Sequence, residues 1–135
     1  MKIVVVSRES SSGTYEYFKE KVMDKMDYTK DALMKPSNGA IDETVGQTEG
    51  AIGYVGLAYL SEGKNIKALE VSFDQGKTFT APSIQSAMDK SYPISRPLYL
   101  MYDETLASKV SGFVNYVLGA EGQATIKATG YIPLK

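Results

Sequence analysis

The sequence has no cysteine, no histidine and no tryptophan, and the first two absences remove whole classes of function. Without cysteine there is no disulfide framework, thiolate zinc site, thiol nucleophile or lipidated cysteine. Without histidine the Ser-His-Asp triad and the usual imidazole metal ligands are excluded. Apolar runs are short, such as Ile3 to Val6 and Pro97 to Met101, against the roughly 20 residues a membrane-crossing helix needs. Neither sign of charge dominates. Fifteen Lys and Arg against sixteen Asp and Glu leave a formal net charge of -1, so no overall field draws the chain to nucleic acid or an anionic membrane, and any anion site is local. What remains is a chain of 135 residues, 43% hydrophobic and 23% charged. That is the balance of one globular domain able to bury an ordinary core. Its opening, Met-Lys-Ile-Val-Val-Val, lacks the three-part pattern of a secretion signal and is expected to be a strand.

The order of elements can be read from periodicity. The β-branched run Lys2 to Val6 predicts a buried, central strand, followed by the small-residue loop Ser-Arg-Glu-Ser-Ser-Ser-Gly-Thr. Tyr15, Phe18, Val22 and Met26, three and four apart, predict an amphipathic helix beginning at or just before Gly13. Ser37 or Asn38 is expected to cap a second short helix carrying Ile41 and Val45, with Asp42 and Glu43 near its start. Ala51 to Leu57 reads as a strand, Ile66 to Val71 as a weak edge strand, and Ile84 to Met88 as a short helix. Arg96-Pro97 is expected to open another strand through Tyr102. Leu106, Val110, Phe113, Val114 and Val117 form a helical stripe that Gly119 ends, and Glu121 to Ala128 reads as a last helix before an extended Gly130 to Leu134. Strands alternating with helices predict an α/β domain with a largely parallel sheet.

The segment that carries chemistry is Arg8-Glu9-Ser10-Ser11-Ser12-Gly13-Thr14. A buried strand that passes through a hydroxyl-rich turn into a helix leaves the first-turn amides pointing outward with about half a positive charge, a ready site for an oxyanion. Arg8 adds forked donors, the serines add hydroxyls, and Gly13 lets backbone come close to a ligand. A small tetrahedral oxyanion is the ligand this pattern suits. The same residues have a plainer reading: Ser and Thr before a helix are ordinary caps, and a loop Arg is solvated or paired with a carboxylate such as Glu9. Spacing alone leaves both readings open.

Five segments in order extend the pattern over essentially the whole chain. They are Arg8 to Thr14, Ser37-Asn38-Gly39-Ala40-Ile41, Gly50-Ala51-Ile52-Gly53-Tyr54-Val55, Tyr92-Pro93-Ile94-Ser95-Arg96-Pro97-Leu98-Tyr99 and Ala120-Glu121-Gly122-Gln123. Together they resemble the phosphate-binding proteins of phosphate ABC transporters, solute-binding proteins of the periplasmic family. The resemblance implies a single lobe of a type II periplasmic-binding-protein fold over residues 1–135, a largely parallel central sheet flanked by helices. It implies inorganic phosphate as ligand, held by Arg8, Ser12, Gly13 and Thr14, and the transporter's membrane subunits as partners. It implies export to the periplasm or cell surface, although this chain shows no signal peptide. The Gly-Ala-Ile-Gly-Tyr and Tyr-Pro-Ile segments look architectural. Only the family's C-terminal portion is matched. The first lobe is expected to be absent, and with it the carboxylate that accepts the proton of hydrogen phosphate, the group that separates phosphate from sulfate. One lobe leaves half the anion wet, so about 5 kcal/mol of binding, a high-micromolar to millimolar Kd, is expected. The surface left open is expected to favour self-association into a homo-oligomer.

Other features are weaker. Gly76-Lys77-Thr78 looks like the end of a P-loop, but the required first Gly falls on Val71. The tyrosines at 54, 59, 92, 99, 102, 116 and 131 have no basic stripe beside them and are expected to pack in the core and at interfaces rather than stack on bases. Arg96 supports a strand start, and the pairs Asp42-Glu43 and Asp103-Glu104 suit helix starts better than acid-base or metal chemistry. No cofactor or metal is expected. The competing class is an oxyanion-using hydrolase with a loop Ser as nucleophile, which lacks an evident base. A third reading is a self-associating truncated lobe with a vestigial site.

Overall fold

The structure, a computed structural model, describes residues 2–60 and 65–134. They fall into two compact units, Met1–Glu70 and Val71–Lys135, each taken here by itself.

In the first unit three short strands form one parallel sheet. β1 (Val4–Arg8) is central, with β2 (Leu33–Lys35) on one side and β3 (Ala51–Gly53) on the other. Val6 pairs with Leu33 and Arg8 with Lys35 across one edge, and Val4 with Ala51 across the other. Each parallel step is bridged by a helix, α1 (Gly13–Lys21) between β1 and β2 and α2 (Asn38–Gln47) between β2 and β3. Parallel strands need such a crossover. The β-branched run that makes β1 a strand also fills the core: Val6 is fully buried and Ile41 of α2 is 1% exposed. Gly53 lets them meet. A Cβ there would stand 2.8 Å from the Ile41 Cγ2 and 3.1 Å from the Val45 Cγ2, so the absence of a side chain is what seats α2 on β3. The central position of the first strand is as expected, but the strand runs from Val4 to Arg8 rather than from Lys2 to Val6.

Two expectations in this unit are corrected. The first helix stops at Lys21, because the chain turns at Asp24 and Lys25, both at positive φ (49° and 64°), so Met26 lies outside it and is exposed. The third strand ends at Gly53 rather than continuing to Leu57, and residues 57–59 form a single 3-10 turn.

In the second unit the regular elements are helices, joined by long irregular segments. α3 (Ile84–Met88) opens with a capping box in which Ser83 and Ser86 each bond the other's backbone N–H. Asp103 caps a 3-10 turn, Glu104–Leu106, that leads into α4 (Ala107–Leu118), and α5 (Ala120–Ala128) follows directly. Gly119 breaks the pair as expected. Gly122 allows it to be tight, since a Cβ there would lie 2.6 Å from the Val117 Cα and 2.7 Å from the Val117 carbonyl oxygen. Of the predicted α4 stripe, Val110, Val114 and Val117 are half-buried while Leu106 and Phe113 stay exposed. The edge strand expected at Ile66 to Val71 is only an isolated antiparallel bridge, Val71 to Thr80. The strand expected from Arg96 to Tyr102 is irregular chain with Leu98, Tyr99 and Met101 largely exposed. A β-prone run becomes a strand only where a neighbour supplies the ladder, and among the described residues none does.

Candidate functional site

The strand order reverses at β1, whose connection goes to β2 on one side while β3 lies on the other. Ligand sites of open parallel sheets gather at the carboxyl ends of strands where the order reverses. Arg8 is the last residue of β1 and Ser12 the N-cap of α1, so the predicted segment occupies that position.

The loop is held by its own backbone. Glu9 N–H donates to the Lys35 carbonyl (3.1 Å), and Ser12 N–H donates back to the Glu9 carbonyl (3.0 Å). Ser12 is buried and in extended conformation, and its Oγ accepts from the Thr14 N–H at 3.2 Å, the ordinary capping bond. Two of the amides expected to face a ligand, those of Ser12 and Thr14, are therefore engaged within the protein. The amides of Gly13 and Tyr15 take no partner among the described residues. Ser12 accepts through Oγ and keeps its hydroxyl proton to donate elsewhere. Gly13 is exposed and Thr14 half-buried. The plain capping reading is thus correct for Ser12, and it leaves the Gly13 amide, the Ser12 hydroxyl and the dipole of α1 available.

The Arg8 guanidinium is fixed by two neutral oxygens. Nη1 donates to the Asn38 Oδ1 at 2.9 Å and Nη2 to the Pro36 carbonyl at 3.0 Å, while Nε is buried and makes no hydrogen bond. Two of the five guanidinium N–H groups are used and three remain. Among the described residues the ion pairs are Lys2 with Asp31 and Lys19 with Asp27, so Glu9, which is exposed, is not the counter-ion of Arg8. An arginine held by carbonyl-type oxygens keeps its full charge.

Behind the loop lies a chain of hydroxyls. Fully buried Ser7 shares a 2.7 Å bond with the Tyr54 hydroxyl, which shares another of 2.9 Å with Tyr28 and accepts from the Arg8 N–H at 3.4 Å. Tyr28 in turn donates to the Tyr15 carbonyl of α1. The Tyr54 ring stacks on Phe18 at 4.1 Å, which packs α1 over the end of β3. Burial, reinforced by the bond with Tyr54, pushes the Tyr28 hydroxyl above the ordinary phenol value, so Tyr28 is neutral. The sequence offered Asn38 as a candidate helix cap and Tyr54 as a packing residue, but not as hydrogen-bond partners of Arg8 and Ser7. Asn38 and Pro36 are brought beside Arg8 by β2, Tyr54 is brought beside Ser7 by β3, and a three-residue strand carries too little pattern to be seen.

The fold defines the class of domain: a parallel α/β unit whose central strand leads through an arginine-bearing loop into the start of a helix. The chain belongs to the PBP superfamily, whose domain matches residues 1–121. It is similar to the phosphate-binding protein PstS of Pseudomonas aeruginosa, 31% identical over 98% of this chain and 42% of that protein. PstS of Staphylococcus epidermidis is 37% identical over 97% of this chain and 40% of that protein. Among solved structures, it resembles a Clostridium perfringens protein described as a phosphate ABC transporter substrate-binding protein, crystallised with bound phosphate. The identity there is 31% and the TM-score 0.78, covering 98% of this chain and 52% of the other. The chain spans about two-fifths of the length of the curated relatives it matches.

Proposed function

We propose that this chain binds inorganic phosphate, as one lobe of an ABC-transporter phosphate-binding protein, through Arg8, Ser12, Gly13 and Thr14. The observation that carries the reading is the state of Arg8, whose guanidinium is oriented by the Asn38 and Pro36 oxygens, pairs with no carboxylate among the described residues, and retains a buried, unbonded Nε. A fixed cation with an unused N–H on each Nη, at the strand end that leads into a helix start, suits a multivalent oxyanion. The PstS relatives and the phosphate-bound neighbour agree with that choice of ligand.

In this reading Ser12 donates its hydroxyl, Gly13 and Thr14 present the start of α1, and no chemistry is performed. Residues 1–135 correspond to a single lobe. The remainder of the site comes from a lobe outside this sequence, the intact protein works outside the cytoplasmic membrane, and the transporter's membrane subunits receive the ligand. Isothermal calorimetry with inorganic phosphate tests the reading. A saturable isotherm with a Kd in the high-micromolar to millimolar range, from about 5 kcal/mol of binding, that Arg8→Ala abolishes is expected. Heats indistinguishable from dilution would refute it, and turnover of a phosphate ester lost in Ser12→Ala would favour the hydrolase instead.

A further inference from the structure

The acceptor on Arg8 is an amide, and its neutrality has a consequence. Asn38 is the first residue of α2 and its backbone belongs to the helix start, where Ser37 already supplies the cap by accepting from the Ala40 N–H. The side chain is therefore free for another role, and it spends its Oδ1 on the Arg8 Nη1 at 2.9 Å. The Pro36 carbonyl holds Nη2 from the same turn, so the segment joining β2 to α2 grips the planar guanidinium at two points. Two bonds to a planar fork set its rotation. That rotation decides where the buried Nε and the remaining N–H groups point.

An aspartate at this position would grip Arg8 at least as well and would suit the positive end of α2 better. It would also cancel the charge that an anion needs. We infer that Asn38 is a positioning residue for the anion site, one that orients Arg8 through a neutral oxygen and so leaves its positive charge to the bound phosphate. The inference rests on the phosphate-binding reading above and adds to it which residue sets the strength of the Arg8 contact.

The test measures inorganic phosphate binding to the full chain by calorimetry, thermal stability by circular dichroism, and the Arg8 Nε–H signal by NMR. Asn38→Asp should fold with stability equal to or above the parent and hold Arg8 in place, yet bind phosphate roughly tenfold more weakly, because the new carboxylate offsets the Arg8 charge and repels the anion. Asn38→Ala should also weaken binding, by about fivefold to tenfold, and should broaden or shift the Nε–H signal in the free protein. A residue that merely starts α2 gives the opposite result for Asn38→Asp, unchanged binding with raised stability, and that outcome overturns the inference. If the parent binds and Arg8→Ala abolishes binding while both Asn38 variants bind like the parent, the positioning role alone fails. If the parent shows no saturable binding, the phosphate reading and this inference fail together.

Discussion

Replacing Tyr54 by Phe removes one oxygen from the hydroxyl chain behind the Arg8 loop and keeps the ring that stacks on Phe18 at 4.1 Å. The loss is two short side-chain bonds, to Ser7 at 2.7 Å and to Tyr28 at 2.9 Å, and a long one from the Arg8 N–H at 3.4 Å. Ser7 is fully buried, so water cannot replace the lost partner, although its Oγ keeps a 3.2 Å bond to the Arg8 carbonyl. At about 1 kcal/mol for each short bond, with the long one adding little, Tyr54→Phe should cost about 2 kcal/mol. In urea, with a slope of about 2 kcal/mol/M, the midpoint should fall by about 1 M. The amide signals of Val5 to Arg8 are the right probe because they report the unit that contains the network. Tyr28→Phe, which keeps the Ser7–Tyr54 bond, should cost about half as much, and the double variant less than the sum, because the two share a bond. A loss under about 0.5 kcal/mol for Tyr54→Phe, or strict additivity with Tyr28→Phe, would refute the idea that these hydroxyls act as one network.

Gly53→Ala puts a Cβ within 2.8 Å of Ile41 and 3.2 Å of the Val6 carbonyl. It should destabilise by about 1 to 3 kcal/mol, measured by thermal denaturation, with no loss expected from the open position Gly112→Ala. The Tyr28 hydroxyl titrates above its ordinary value of 10.0 because it is desolvated and bonded to Tyr54. A raised folded-state value means that its contribution is present below the unfolded value and lost as pH rises through the folded one. The unfolding midpoint should therefore decline above about pH 10, and Tyr28→Phe should flatten that decline.

How much of this was legible in the sequence depends on how far each feature is local. The β-branched run marked a central strand, and the start of α1, expected at or just before Gly13, is at Gly13, because strand propensity and capping act over a few neighbours. The end of α1 was not legible, since the apolar spacing continues to Met26 while the chain turns at Asp24 and Lys25. Leu33–Lys35 became a strand through its pairing with β1, and Arg96 to Tyr102 stayed irregular without such a partner among the described residues. At the site, Arg8 was evident from its place after a strand. Its partners were not: the neighbouring Glu9 is the obvious candidate in sequence, yet the parallel register brings Pro36 and Asn38 to it instead. Tyr54, read as packing, does stack on Phe18, but the hydroxyl bonds that tie it to Ser7 and Arg8 depend on a contact 47 residues apart.

The central claim is that the end of β1 and the start of α1 hold a tetrahedral oxyanion. Titrating the 15N-labelled chain with inorganic phosphate tests it most directly. The account predicts saturable shifts at the Gly13 and Thr14 amides and at the Arg8 Nε–H, all absent in Arg8→Ala. Unchanged positions of those three signals up to tens of millimolar phosphate would contradict it.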